Sequence, residues 1–300
     1  MTILTSIEEK IGKIESSQIK LIEAYCNRVF LYEITTSNGR FFKFIEKAFV
    51  FDQDYPQKGL VESQTSQLLS NEGFLVPKIV YEDDSRIVYE YIESKSIDTK
   101  DLQKSIVKLV SLIHSRTQSS ESPINKSIPW RNAEIRIRQI YNWIDLLSQA
   151  GLKIHINKDK IVSALKARDS KQNRYVLTLS DCGTHNAIYD GNNVYLIDFE
   201  RACYGYPADD IASLIIEEIN PVEDILRMYF ESSTTQTKIH RNADFNFELS
   251  SSLFERSLEI LVYFGMGKGN ISETNRKSIL IKYSRLVDKY HAELINRIKI

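Results

Sequence analysis

LSDCGTHNAIYDGNNVYLIDFE, residues 179–200, sets Asp181 five places before Asn186 and then leads through a hairpin-like stretch to Asp198. The apolar runs 187–189 and 194–197 flank Asp190-Gly191-Asn192-Asn193, a turn composition. Folding that hairpin brings Asn186 and Asp198, just outside its two ends, close together. A carboxylate and an amide oxygen so placed suit Mg²⁺, a hard cation that takes oxygen ligands and keeps waters. Asp181 then sits nearby with no obligatory ligand role, free to accept a proton from a hydroxyl that attacks phosphorus. Positioning, charge neutralisation by a metal and a base are the parts that phosphoryl transfer needs. Asp and Asn are also common turn residues, and an Asx-turn alone explains any one of them. The D-x-x-x-x-N spacing followed by a hairpin and by apolar-Asp-aromatic-acid is far more specific than any single residue.

The bulk of the chain fits this chemistry. Its 300 residues suffice for one large domain or two lobes with a sizeable core. The formal net charge is -1, so there is no broad basic field to hold a phosphate backbone, and nucleic acid is not expected as a partner. No apolar run approaches the roughly 18–20 residues that span a bilayer, so no membrane is expected either. The first residues, MTILTSIEEKIGKIE, meet charges too early for a signal-peptide core. Cys26, Cys182 and Cys203 are odd in number and not in ligand spacing, and they read as free thiols of a reducing cytoplasm.

Outward from the quoted stretch, the first ninety or so residues read as a small sheet with one helix. VFLYEITTS (29–37) alternates apolar and polar residues, Asn38-Gly39 is a strong hairpin signal, and RFFKFIEK returns. LVESQTSQLLSNEG (60–73) has helical spacing and a Gly stop. LVPKIVYED and SRIVYEYIE read as two further strands. After Asp98 the pattern turns helical, with Leu102, Ile106, Leu109, Val110 and Ile113 on one face. A second helix is closed by Gly151. ESSTTQTKIHRNADFN (231–246) reads as a loop. The expected class is α+β and two-lobed: a mixed-sheet N-lobe over 1–92 and a mainly helical C-lobe over 93–300.

Residues 181–210, DCGTHNAIYDGNNVYLIDFERACYGYPADD, resemble the catalytic and metal loops of the aminoglycoside phosphotransferase and choline kinase family, small-molecule kinases with the protein-kinase-like fold. That family usually reads H-G-D-x-x-x-x-N, then I-D-[FWY]-[ED], then G-[DY]-P-x-x-D-[LI]-A. Here stand Leu179-Ser180-Asp181, Asn186, Ile197-Asp198-Phe199-Glu200 and Gly205-Tyr206-Pro207-Ala208-Asp209-Asp210-Ile211-Ala212. More weakly, 25–30 is similar to the phosphate-covering loop and includes Asn27. Phe42-Lys43-Phe44 sits where the phosphate-binding Lys is expected, and Glu62 is the candidate to pair with it. Residues 88–92 look like the hinge that holds adenine, through Glu90 and Ile92. LVSLIHS (109–115) is similar to the family's L-x-x-L-H helix.

The resemblance implies an ATP-dependent kinase. It would use Mg²⁺ held by Asn186 and Asp198, and Asp181 as base, on a hydroxyl of a sugar, amino alcohol or aminoglycoside-like acceptor. Asp210 is expected to brace the catalytic loop. The bland alternatives stay beside these roles: Lys43 as an edge-strand lysine, Glu62 as a solvated helix residue. Two departures favour the other reading, a weak or inactive nucleotide-binding pseudokinase. Leu179 replaces the usual His, and no glycine lies between Gly12 and Gly39 to let the backbone approach phosphates. For the acceptor, Glu217, Glu218, Glu223 and Asp224 suit an amine, Trp130, Tyr141 and Trp143 offer cation–π faces, and Arg131, Arg136 and Arg138 suit an anion.

Overall fold

The computed structural model describes residues 3–22, 27–51, 55–118, 126–171, 175–232, 243–269 and 271–298. Tyr25 and Cys26 of the expected phosphate-covering loop, and most of the expected 231–246 loop, lie outside the described residues. The chain divides into two compact units. The first comprises Met1–Ile97 with Asn186–Arg201, and the second Asp98–His185 with Ala202–Ile300. The first unit therefore runs beyond residue 92 and takes back the hairpin and metal loop, which were expected to belong wholly to the second.

In the first unit a five-stranded sheet has the order β1-β2-β3-β5-β4, built from β1 (Ile14–Ile22), β2 (Arg28–Thr36), β3 (Phe41–Ala48), β4 (Ile79–Asp83) and β5 (Arg86–Glu90). Every pairing is antiparallel, so the sheet is not mixed. The Asn38-Gly39 hairpin forms as expected: Gly39 takes φ +79°, a left-handed conformation that glycine adopts without strain, and its N–H donates to Thr36 O at 2.8 Å. Among the described residues two helices, not one, accompany the sheet. In α1 (Ile3–Ile11) Ile3 and Ile7 pack on Tyr32, Ile34, Phe44, Val80 and Val88. In α2 (Lys58–Asn71) Val61, Glu62, Thr65 and Leu69 are buried.

The β4–β5 turn is closed by one carboxylate. Asp83 accepts from Ser85 N at 2.9 Å, Ser85 Oγ at 2.8 Å, Tyr81 Oη at 2.9 Å and Arg86 Nε at 2.9 Å. Burial works against its charge, but these donors outweigh it and lower its pKa to about 2. A depressed carboxylate contributes stability that is complete above its ordinary value near 3.8 and is lost as pH falls through about 2. Asp83→Ala is expected to cost about 1–2 kcal/mol at neutral pH in urea unfolding. The gap should narrow as pH drops below 4; an undiminished gap at low pH would contradict this.

The second unit is mainly helical: α3 (Thr99–Thr117), α4 (Ala133–Gln149), α5 (Lys158–Lys171), α6 (Pro207–Ile216), α7 (Val222–Ser232), α8 (Ala243–Gly265) and α9 (Glu273–Ile298). Asp98 caps α3 by accepting from Lys100 N and Asp101 N. Leu102, Ile106, Val110 and Ile113 are buried as expected, joined by Gln103 and Val107, whereas Leu109 is half-buried. Gly151 at φ +76° ends α4, with Leu152 N donating to Leu147 O at 2.9 Å. A short pair not anticipated, β6 (Val176–Thr178) with β9 (Cys203–Gly205), leads chain into and out of the quoted stretch. Among the described residues no helix is long and apolar enough to cross a membrane. Cys182 and Cys203 are free and buried, and Cys26 lies outside the described residues.

Candidate active site

In the first unit the site is organised around Lys47 on β3. Its Nζ lies 3.0 Å from Glu62 Oε2, 2.6 Å from Asp198 Oδ1 and 3.0 Å from Glu200 Oε2. Glu62 reaches it from α2, and Tyr89 on β5 donates its hydroxyl to Glu62 Oε1 at 2.7 Å. Burial opposes the charge on Lys47, but Glu62, Asp198 and Glu200 outweigh it and raise its pKa. Glu62 is the most deeply buried of the three acids, and its pKa is raised by that burial in spite of Lys47. Glu200 is also penalised by burial, yet Lys47 and Lys58 hold it below the usual carboxylate range. A cation shared among three acids is a charged centre that anionic phosphates can enter once an acid is released or metal-bound.

Lys43, the lysine expected here, does not pair with Glu62. It sits opposite Glu33 on β2, 2.9 Å from Glu33 Oε1, with its side chain 37% exposed. Residues 43, 45 and 47 share a face, since strand side chains alternate. The alternation that selected Lys43 therefore selects Lys47 equally. What separates them is that Lys47 lies between Val29 of β2 and Ile87 of β5, on the part of β3 that faces Glu62. Of the other expected nucleotide residues, Asn27 donates from Nδ2 to Glu200 Oε2 at 2.5 Å. Glu90 ends β5 with its N–H donated to Lys78 O at 2.9 Å, and Ile92 follows two residues on.

The hairpin forms as β7 (Ala187–Tyr189) and β8 (Val194–Leu196). Asp190 Oδ1 accepts from Asn192 N at 2.8 Å and Asn193 N at 2.7 Å, closing the turn as its composition requires. At the open end Ile197 N donates to Asn186 O at 3.0 Å, which brings the buried Asn186 and the half-buried Asp198 to one mouth of the hairpin. Asp198 takes φ +66°, unusual for a non-glycine residue and a sign of local strain. Carboxylate oxygens of Glu62, Asp198 and Glu200 lie within 4.8 Å of one another. This hard, all-oxygen donor set fits a divalent cation such as Mg²⁺.

Asp181 belongs to the second unit. Arg256 on α8 donates from Nη2 to Asp181 Oδ1, and His185 Nε2 lies 3.4 Å from the same oxygen. Arg256 Nη1 also donates to Glu259 Oε2 at 2.8 Å. The His185 pKa is raised to about 9 by Asp181 and then Glu217, so the imidazole is a cation at neutral pH. Glu217, one of the acids that suit an amine in the sequence, accepts from Thr184 N at 2.8 Å and Gln103 Nε2 at 3.0 Å. A Cβ on Gly183 would stand 2.7 Å from Glu217 Oε1 and 2.6 Å from the His185 ring, so a larger residue here would displace the ends of these two side chains.

Asp210 braces the loop as expected, accepting from Leu179 N at 2.9 Å, Ser180 N at 2.7 Å and His114 Nε2 at 3.0 Å. Leu179 is buried where the family has His, and the loop's backbone is held without that ring. Ser180, where the family has Gly, takes φ +63° and is tied by Ser213 Oγ donating to its carbonyl at 3.1 Å. Arg136, one of the arginines considered for an anionic acceptor, is fully buried. Its guanidinium is engaged by Asp209 and by Glu255, the latter at 2.8 Å. Trp143 is likewise a core residue. Sequence reading missed Arg256 and Lys58, since neither lies in a motif. An arginine in a helix 75 residues from Asp181 carries no local signal of that pairing.

The sequence profile of the phosphotransferase enzyme family (APH) matches residues 19–240. A search of curated proteins returned no match. Among solved structures, the choline kinase LicA from Streptococcus pneumoniae is similar at a TM-score of 0.61 and 19% identity, covering 97% of this chain and 99% of that one. A microcompartment-associated aminopropanol kinase is similar at 0.67 and 15% identity, covering 97% of each. The amicoumacin kinase hAmiN, solved with AMP-PNP, Ca²⁺ and amicoumacin, is similar at 0.58 and 14% identity, covering 96% and 94%. At these identities the likeness speaks for the fold, which is α+β and protein-kinase-like.

Proposed function

We propose that this chain, which belongs to the phosphotransferase enzyme family and is an ATP-dependent phosphotransferase acting on an alcohol group, moves the γ-phosphoryl of Mg²⁺–ATP to the hydroxyl of a small amino alcohol or sugar-like acceptor. The observation that carries the reading is Lys47 bonded at once to Glu62, Asp198 and Glu200. A buried cation held by a helix carboxylate and by the acid of a metal loop is the arrangement that positions nucleotide phosphates. Lys47 takes the role first expected of Lys43. Glu62 orients it. Asp198 and Asn186 would hold the metal, with Glu200 at its margin; when bound, the cation neutralises charge on the phosphates. Asn27, Glu90 and Ile92 remain proposed nucleotide contacts.

In the transfer, the acceptor O–H gives its proton to the Asp181 carboxylate as its oxygen bonds to the γ-phosphorus. The bond from that phosphorus to the bridging oxygen breaks, and ADP leaves with the electron pair. The bracing of the loop by Asp210 and Glu217 supports an enzyme despite Leu179, because it holds Asp181 in place without the usual His. Choline, aminopropanol and ethanolamine kinases stand among the similar structures, so amino alcohols come first as acceptors.

The test is an ATP-consumption screen with Mg²⁺ over amino alcohols, sugars, nucleosides and aminoglycosides. ADP release that depends on one class, and that Asp198→Ala abolishes together with Mg²⁺-dependent nucleotide binding, is the expected outcome. Metal-dependent binding that survives Asp198→Ala would remove the metal assignment.

A further inference from the structure

We propose that Lys58 is a second phosphate-binding lysine, and that the Glu200 carboxylate occupies the seat of a nucleotide phosphate between Lys58 and Lys47. The inference rests on the nucleotide reading above and adds a residue that no sequence motif marks. Lys58 opens α2 with its side chain only 7% exposed, an uncommon place for an ammonium group. Its Nζ lies 3.4 Å from Glu200 Oε1, while Lys47 Nζ lies 3.0 Å from Glu200 Oε2. Asn27 adds a third donor, Nδ2 to Oε2 at 2.5 Å. Its amide is oriented by Val50 N, which donates to Asn27 Oδ1 at 3.3 Å, so that the NH₂ side is turned to the carboxylate.

Two ammonium groups and an amide NH₂ around one buried carboxylate make an anion seat. Two oxygens of a carboxylate and two of a phosphate are similarly spaced, and charge-assisted donors of this kind serve either. The seat also answers the shortage of glycine in the segment between Gly12 and Gly39. Where backbone N–H groups approach phosphates poorly, a second lysine supplies the missing donor. On nucleotide binding, Glu200 leaves the seat to the phosphate and is available to the cation, whose donor set it already neighbours.

Calorimetric titration in EDTA with adenosine, AMP, ADP and ATP separates this from a purely structural ion pair. The wild-type chain should bind more tightly as phosphates are added. Lys58→Met should weaken ATP and ADP about tenfold and leave adenosine unchanged. Glu200→Gln should tighten metal-free ATP, since the competing charge is gone. If Lys58→Met fails to fold, Lys58→Gln in the Glu200→Gln background removes both charges together and should show the same loss relative to Glu200→Gln alone. Equal loss across the series, adenosine included, or no loss for ATP, overturns the role of Lys58. A wild-type chain that binds none of the four overturns the nucleotide reading itself and this inference with it.

Discussion

Lys47→Arg is expected to lower turnover about tenfold or more, through the loss of a positioned charge on the phosphates, while Lys43→Ala stays near wild type. The contrast follows from where the two side chains lie. Lys43 is part of an exposed pair with Glu33, which is itself paired to Lys20 at 2.6 Å. Exposed pairs of this kind contribute about 0–1 kcal/mol. Lys47 is 11% exposed and holds three carboxylates together. Removing its charge altogether, as in Lys47→Ala, leaves the buried Glu62 without its cation and costs about 3–5 kcal/mol of stability. Loss of activity in the alanine variant would therefore mix unfolding with chemistry. Arginine keeps the charge and so the fold. Its planar fork does not reproduce a point charge among Glu62, Asp198 and Glu200. Melting curves and ATP titration on Lys47→Arg and Lys43→Ala separate the effects. If Lys43→Ala harms turnover as much as Lys47→Arg does, the site has been assigned to the wrong lysine.

That pair of lysines also marks how far the sequence could be read. The β2–β3 hairpin was legible because Asn-Gly and strict alternation are local signals. So was the β7–β8 hairpin, whose turn composition placed Asn186 and Asp198 at one mouth. Alternation reports a face and not a position along it, so it could not choose between Lys43 and Lys47. Only packing against α2 does that. The first helix was missed because its buried face is short, Ile3, Ser6 and Ile7, and is followed at once by charged residues. Strand β1 was missed because eight of its nine residues are exposed and its alternation points at no core. Asp210 was legible through its motif. Its partner His114 lies 96 residues earlier in the chain, and only the fold brings it there. Arg256, Lys58 and Glu217 act through contacts of this long-range kind, which no window along the chain contains.

Asp181→Asn should lower turnover about 10²–10⁴-fold, the usual contribution of a positioned base, and leave nucleotide affinity unchanged. Asparagine keeps the shape and loses the charge and the capacity to take the acceptor proton. The fold should tolerate it, because Arg256 keeps its bond to Glu259 at 2.8 Å and is not left as an unpaired cation. The loop keeps its other supports as well, since Asp210 holds Leu179 N and Ser180 N and Glu217 holds Thr184 N. The proposed phosphate contacts all lie in the first unit, whereas Asp181 lies in the second, so ATP binding has no reason to change. The informative pattern is a fall in kcat with the Kd for Mg²⁺–ATP held, measured by single-turnover transfer to the acceptor found in the screen and by calorimetry. If both fall together, Asp181 supports the nucleotide site rather than the acceptor. Full turnover in Asp181→Asn would remove it from the chemistry, and Arg256 would then be bonded to a carboxylate that serves only to hold the loop.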